Sequence, residues 1–135
     1  MSQEAVSNLN RRRHRRIETN VSVRISTIEP ERDRWTGRPF FRASQETCAN
    51  VSRGGAFVET NEPLDPGRRL LVEVRLPGGE PMEAIGRVAW TKRIMTPHAR
   101  DGASGIGIEF IGGAAEQFVA LGDYIDGLER ETDSE

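Results

Sequence analysis

Apolar residues recur at every second position in several short stretches of the chain, and this alternation constrains the fold most. Leu70, Val72, Val74 and Leu76 are one such series. A period of two places successive side chains on opposite faces and indicates a half-buried β-strand. Extended to the whole chain, the pattern predicts six strands, at residues 21–26, 40–49, 56–60, 70–76, 82–90 and 105–110. In the long fifth strand we expect Met82 and Trp90 on the same, inward face.

The spacing of apolar residues changes after Gly113. Phe118, Leu121, Ile125 and Leu128 are three, four and three residues apart, which places them on one face of a helix. We expect the acidic residues 129–135 to fray. Six short strands followed by one helix predict a small antiparallel barrel or a sandwich with the helix packed on it.

Composition limits the protein to a few classes. A chain of 135 residues is the size of one domain. Cys48 is its one cysteine, so no internal disulfide forms; a reducing compartment and a buried thiol are expected. No run of about 18 apolar residues is present to span a membrane, and the N-terminus has no apolar signal core. A cytoplasmic protein is the simplest interpretation.

Positive charge is concentrated towards the N-terminus. Residues 1–42 carry ten Arg against five Asp or Glu, a net charge of +5, whereas residues 43–135 carry nine Lys or Arg against 16 Asp or Glu, a net charge of −7. Five of the arginines surround His14 in the block 11–16, shortly before the first predicted strand. Any anion-binding function is therefore expected near this end of the chain.

A polar turn is the second feature with chemical potential. Residues 50–55 read Asn-Val-Ser-Arg-Gly-Gly and separate the second predicted strand from the third. With the arginine block, the short polar groups and exposed backbone of this turn suit a ligand with phosphates and purine edges. We expect the turn to matter for binding rather than for folding.

Each feature also has a simpler interpretation. Basic arms are often solvated, or bind nucleic acid through its phosphates without specificity. Asn, Ser and Gly are ordinary turn residues, and Gly54 and Gly55 could simply supply positive φ.

The sequence offers little for catalysis. Its two histidines, His14 and His98, lie in polar segments, and no His-Glu-x-x-His, paired-cysteine or Gly-x-Ser-x-Gly pattern is present. Residues 105–110, Gly-Ile-Gly-Ile-Glu-Phe, resemble the start of a dinucleotide fingerprint but lack its third glycine. We interpret this segment as a strand whose glycines allow close packing, and we predict that the protein is not an enzyme.

Two motifs in this order resemble a known family. Residues 12–16 match R-x-x-x-R and residues 50–55 match D/N-x-S-x-x-G, and the pair resembles the PilZ domain, the bacterial receptor module for cyclic di-GMP. Further similar segments follow in order, at residues 64–67, 76–79, 86–90 and 105–110. The resemblance covers roughly residues 11–128 and implies a mainly β fold, a six-stranded antiparallel barrel with a C-terminal helix. Residues 1–10 are then expected to be a disordered arm and residues 129–135 an acidic tail.

The resemblance also implies a set of ligand-binding residues. Those at the motif positions are Arg12, Arg16, Asn50, Ser52 and Gly55. We expect the two arginines to bind the ligand and the other three residues to form the turn that faces them.

The register of the arginine motif leaves an alternative. Arg11 and Arg15 also satisfy R-x-x-x-R. We prefer Arg12 and Arg16, because the family's second arginine usually precedes the apolar residue that leads into the first strand, here Ile17. The list of assisting arginines is then Arg11, Arg13 and Arg15. The charged stretch 29–39 departs from the family in length and is expected to be a solvated loop; a contact with a partner or ligand is the alternative.

The function that the resemblance implies is a non-enzymatic receptor. Its ligand would be cyclic di-GMP, with no metal or further cofactor, and it would relay the signal to an effector protein that the sequence does not identify. An interaction-only adaptor with weak or no nucleotide binding is the alternative. Nucleic-acid binding is disfavoured, because the charge of −7 on residues 43–135 repels a polyanion and no row of aromatic residues accompanies the arginines.

Overall fold

The computed structural model of the chain describes residues 17–94 and 103–133. The N-terminal arm expected at residues 1–10 lies outside these ranges. Within them the chain forms nine β-strands and one α-helix. The strands are β1 (Ile17–Glu18), β2 (Ser22–Thr27), β3 (Glu31–Arg32), β4 (Pro39–Phe40), β5 (Ala43–Val51), β6 (Gly55–Glu59), β7 (Arg69–Val74), β8 (Met82–Lys92) and β9 (Gly105–Gly112), and the helix is α1 (Ala115–Asp133).

Six strands form a closed antiparallel barrel. Their order is β5-β2-β7-β8-β9-β6, and β6 pairs back onto β5 to complete the ring. Because the barrel is closed, each of these six strands pairs with a neighbouring strand on both sides. They correspond to the six strands that the alternation predicts. The barrel is therefore confirmed, and the sandwich is excluded.

Side chains at alternate positions of the wall build the core. Leu70, Val72 and Val74 of β7 are fully buried, whereas Arg24 of β2 faces solvent. Burying each large aliphatic side chain contributes about 1.5–3 kcal/mol. Cys48 lies in the same core, as expected. Its burial raises the pKa of the thiol to about 12, so that the thiol stays protonated at neutral pH.

One side chain of the long strand β8 faces the other way from the prediction. Met82 and Val88 point inwards, but Trp90 is 38% exposed. The pairing of β8 with β9 shifts its register between Val88 and Trp90, and a bulge of this kind moves the following side chain to the other face. The indole stacks on Phe57 at a ring distance of 5.2 Å and an interplanar angle of 9°, and it covers Gly107.

The helix packs on the barrel through the predicted stripe. Leu121 and Ile125 are buried, and Phe118 is partly buried against the same core. The side-chain amide oxygen of Gln117 accepts a hydrogen bond of 2.9 Å from the backbone N–H of Glu83, which fixes the first turn of the helix to β8. The helix continues to Asp133, so residues 129–133 are helical where fraying was expected.

The segment expected to be a loop at residues 29–39 contains a second small sheet. Strands β3 and β4 pair there as an antiparallel hairpin. In its turn the carboxylate of Asp33 accepts hydrogen bonds from the backbone N–H groups of Trp35, at 2.9 Å, and Thr36, at 2.8 Å. Gly37 completes the turn with a φ of +70°, a conformation that favours glycine.

The strand registers place the connections at two opposite ends of the barrel. The turn between β5 and β6, the loop 75–81 and helix α1 lie together, because Val74 pairs with Met82 and β8 begins beside the helix. We call this the helix end. The β3–β4 hairpin and the segment 60–68 lie at the other end, the hairpin end, where an ion pair of 2.8 Å joins Arg68 to Glu31.

The close approach of Trp90 to Gly107 can be tested by substitution. A Cβ atom at residue 107 would collide with the indole, so Gly107→Ala is expected to lower the free energy of unfolding by about 1–3 kcal/mol, the usual cost of overpacking. Gly79→Ala is the matched control, because a Cβ at residue 79 meets no atom within 4 Å. Urea denaturation measures both variants, and an unchanged midpoint for Gly107→Ala would contradict the packing described.

Candidate functional site

Asn50 occupies an irregular position near the end of β5. The pairing of β5 with β6 shifts its register between Cys48 and Asn50, as at a β-bulge. The side-chain carbonyl oxygen of Asn50 is buried and has no hydrogen-bond partner among the described residues. Buried polar atoms in proteins are nearly always hydrogen-bonded. This oxygen is therefore a buried acceptor that no described residue satisfies.

Ser52 lies inside the turn rather than on its surface. Its side chain is buried, and its hydroxyl oxygen accepts hydrogen bonds of 3.2 Å from the backbone N–H groups of Gly54 and Gly55. Its own N–H donates to the carbonyl of Gly55 at 2.8 Å. The hydroxyl of Ser52 therefore has a structural contact that the sequence analysis did not assign to it, and a role of Ser52 in binding stays a prediction.

Gly55 lies at a position where no side chain fits. Neither Gly54 nor Gly55 has a positive φ, so the interpretation that they supply left-handed backbone is wrong. A Cβ atom at Gly55 would collide with the backbone carbonyl oxygen of Ile108 on β9. Because that atom belongs to a hydrogen-bonded strand, it cannot move aside cheaply, and glycine allows β6 to approach β9.

Strand β1 brings the N-terminal segment to this turn. Ile17 pairs with Val51, and Glu18 pairs with Asn50. Ile17 follows the arginine block directly in the sequence, so the chain leaves the block beside the polar turn. The residue that follows the arginine block therefore lies beside the polar turn.

The predicted ligand arginines themselves lie outside the described residues. They are Arg11, Arg12, Arg13, Arg15 and Arg16. Their roles, and the register of the motif, remain predictions.

Two side-chain contacts tie this site to the helix. The hydroxyl groups of Thr19 and Tyr124 are 2.6 Å apart and share a hydrogen bond. Arg53, in the turn, forms an ion pair with Asp126, and its guanidinium lies over Gly122, where a Cβ atom would collide with it. The site thus contacts α1 both beside β1 and at the turn.

Sequence reasoning missed these helix contacts. Thr19 and Tyr124 are 105 residues apart, and Arg53 and Asp126 are 73 apart, so no local spacing connects either pair. Gly122 carries the one usable signal, because a glycine inside an amphipathic helix often marks a close packing contact.

The described residues contain neither a metal-binding cluster nor a membrane-spanning helix. No group of three or more His, Cys, Asp or Glu residues in these ranges is arranged to hold a metal ion. Helix α1 is too polar to cross a bilayer, and no other helix occurs in the described part of the chain.

A closed six-stranded barrel, with a helix at one end and a polar turn beside the N-terminal strand, defines the class of domain. The chain belongs to the PilZ domain family, whose model matches residues 10–127. The match includes both motifs and all six barrel strands. No curated protein sequence matches the chain significantly.

Three solved structures share the fold at low sequence identity. The inhibitor of motility MotI/DgrA from Bacillus subtilis has a TM-score of 0.65 and 19% identity; the match covers 93% of this chain and 53% of that one. The PilZ domain of Escherichia coli YcgR, solved with c-di-GMP, has a TM-score of 0.62, 17% identity and coverage of 92% and 95%. The PilZ domain of CeSA from a cellulose-synthesizing bacterium has a TM-score of 0.53, 20% identity and coverage of 84% and 97%. The chain thus spans about half the length of the MotI structure.

The different environments of Ser52 and Asn50 predict different effects on stability. Ser52→Ala leaves two turn N–H groups without their acceptor and is expected to lower the free energy of unfolding by about 1–3 kcal/mol. Asn50→Ala removes an oxygen that has no partner among the described residues and should shift the urea midpoint less. Ser44→Ala, at an exposed position of β5, is the control for Ser52. Equal midpoints for Ser52→Ala and Ser44→Ala would show that the hydroxyl does not stabilise the turn.

Proposed function

We propose that this chain is a non-enzymatic receptor for cyclic di-GMP that relays the signal to an effector protein. The observation that carries the proposal is the pairing of Ile17 with Val51. It places Ile17, which follows the arginine block in the sequence, beside the turn that contains Asn50, Ser52 and Gly55, in a fold of the PilZ family. A basic segment and a polar turn at one place are what a ligand with two phosphates and two guanines requires.

The comparisons support the class of ligand. The YcgR domain was solved with c-di-GMP, and the match to this chain covers 95% of that domain. Any further output is part of the proposal, because the chain corresponds to about half of MotI. The effector is unidentified, and we place the receptor in the cytoplasm on the evidence of its composition.

The proposed chemistry divides the ligand between the two motifs. Arg12 and Arg16 carry guanidinium groups that bind phosphate, or the O6 and N7 acceptors of guanine, through two hydrogen bonds at once. Asn50 offers its side-chain oxygen, which has no hydrogen-bond partner among the described residues, to a donor such as the guanine amino group. Ser52 acts indirectly, by holding the turn, and Gly55 allows close approach of the backbone.

The remaining arginines contribute charge. Arg11, Arg13 and Arg15 raise the local concentration of a dianionic ligand and screen its phosphates. In this proposal residues 11–128 form the receptor domain, with residues 1–10 and 129–135 as its flanks.

Calorimetric titration with cyclic di-GMP tests the proposal. Arg12→Ala and Arg16→Ala should each weaken binding more than about tenfold, because a lost charge-assisted contact costs about 1.5–3 kcal/mol. Asn50→Ala should also weaken binding while leaving the urea midpoint nearly unchanged. Arg24→Ala, on the exposed wall of β2, is the control for general loss of positive charge.

The same titrations separate the alternatives. Larger losses for Arg11→Ala and Arg15→Ala than for Arg12→Ala and Arg16→Ala would assign the other register. No binding of cyclic di-GMP by the folded protein would favour the interaction-only adaptor. Binding of a short DNA duplex in place of the dinucleotide would favour the nucleic-acid interpretation.

Amide hydrogen exchange tests where the ligand contacts the chain. Ligand phosphates would supply counter-charge to the arginines and hold that segment against the turn. Added cyclic di-GMP should therefore increase protection at residues 11–17 and 50–55, with little change at residues 68–94 and 103–128. Unchanged protection at residues 11–17 under saturating ligand would exclude this part of the proposal.

A further inference from the structure

The β3–β4 hairpin exposes large aromatic side chains to solvent. Trp35 is 89% exposed, Phe41 is 65% exposed and Phe40 is 41% exposed. Trp and Phe side chains bury large areas in cores and interfaces, so an almost fully exposed Trp is a candidate contact residue. Trp35 lies in the turn of the hairpin, whereas Phe40 pairs with Glu31 at its base. We call the exposed indole of Trp35 the aromatic tip.

The hairpin holds its aromatic tip in a defined conformation. The Asp33 carboxylate accepts hydrogen bonds from the N–H groups of Thr36 and Trp35, which lowers the pKa of Asp33. The guanidinium of Arg32 donates to the carbonyl of Gly37 at 3.0 Å. A side chain presented on an ordered turn loses less conformational entropy when it binds.

Ion pairs join the base of the hairpin to the barrel. Glu31 lies 2.8 Å from Arg68 and 3.7 Å from Arg42, and Glu29 lies 2.5 Å from Arg69. The acidic residues at the base are therefore already paired with barrel arginines.

The charge beside the aromatic tip is positive. Arg34 and Arg38 flank Trp35 in the sequence and form no ion pair among the described residues. The carboxylate of Asp33 is engaged by the backbone N–H groups of its own turn. A surface complementary to this hairpin must carry negative charge and must contain an apolar pocket for the indole.

The helix end of the same chain provides such a surface. A groove of about 500 Å³ lies between α1 and the loop 75–81. Its apolar lining includes Pro77, Pro81 and Tyr124, and its acidic side chains include Glu80 and Asp123. This volume is in the range of pockets that hold a small ligand, so it can admit an indole.

The hairpin and the groove lie at opposite ends of the barrel and cannot meet within one molecule. We propose that the aromatic tip of one copy docks in the groove of a second copy. Trp35 packs between the prolines and Tyr124, and Arg34 and Arg38 face Glu80 and Asp123. Two barrels that lie side by side and antiparallel form this contact twice, so the interface has two-fold symmetry and closes as a dimer.

Sedimentation equilibrium of the 135-residue chain without nucleotide tests the proposal. The average mass should rise with concentration above the monomer value of 15.1 kDa. Trp35→Ala and the double variant R34E/R38E should each weaken self-association by about tenfold or more. Arg24→Glu, on the exposed face of β2, makes at one position the same change of charge as R34E or R38E. It should leave association unchanged. The urea midpoints of these surface variants check that each remains folded.

A charge-swap experiment tests whether the groove is the surface that binds the hairpin. The double variant E80R/D123R should also be monomeric, because its groove repels its own hairpin. Mixed with R34E/R38E it should form a complex, because each hairpin then meets a groove of opposite charge. A mixture that stays monomeric overturns the proposal, as does a wild-type mass that stays at the monomer value. Wild-type monomer that instead co-sediments with phosphatidylglycerol vesicles through Trp35 would assign the aromatic tip to a lipid surface and also overturn it.

Discussion

The pairing of β5 with β6 is the interaction on which the rest of the structure depends. It closes the sheet into a barrel, and the chain must therefore reverse direction between Val51 and Gly55. Ser52 stabilises this reversal through two backbone N–H groups, and the absence of a side chain at Gly55 lets β6 approach β9. The residues that resemble a binding motif are thus also the residues that close the barrel.

The parts of the fold that were predictable are those whose burial follows a local period. Leu70, Val72 and Val74 face the core because they alternate in sequence, and the helix stripe is buried for the corresponding reason. Trp90 was misplaced because its bulge arises from pairing with β9, which is remote in sequence. The β3–β4 hairpin was missed because strands of two residues hold no period, and its order comes from the hydrogen bonds of Asp33.

The family was predictable from the two motifs, whereas the physical contacts of the turn residues were only partly predictable. The order of the motifs indicated a family and a set of residues whose binding roles stay predictions, and the pairing of β1 with β5 places Ile17, which follows the first motif, beside the second. A sequence cannot distinguish a glycine needed for positive φ from one needed for space, which is why positive φ stood as an alternative interpretation of Gly55. It also cannot distinguish a serine that contacts a ligand from one whose hydroxyl is used by its own turn.

The two bonds from the site to the helix make α1 thermodynamically coupled to the turn. A solvent-exposed ion pair such as Arg53–Asp126 contributes about 0–1 kcal/mol, and a hydrogen bond such as Thr19–Tyr124 contributes about 1 kcal/mol. Because linkage is reciprocal, a change in the free-energy difference between two arrangements of the turn produces an equal change in the free-energy difference between two positions of the helix. These two bonds together contribute at most about 2 kcal/mol to the coupling, or roughly thirtyfold in an equilibrium constant. That is enough to bias the orientation of a helix, and too little to unfold the barrel that carries it.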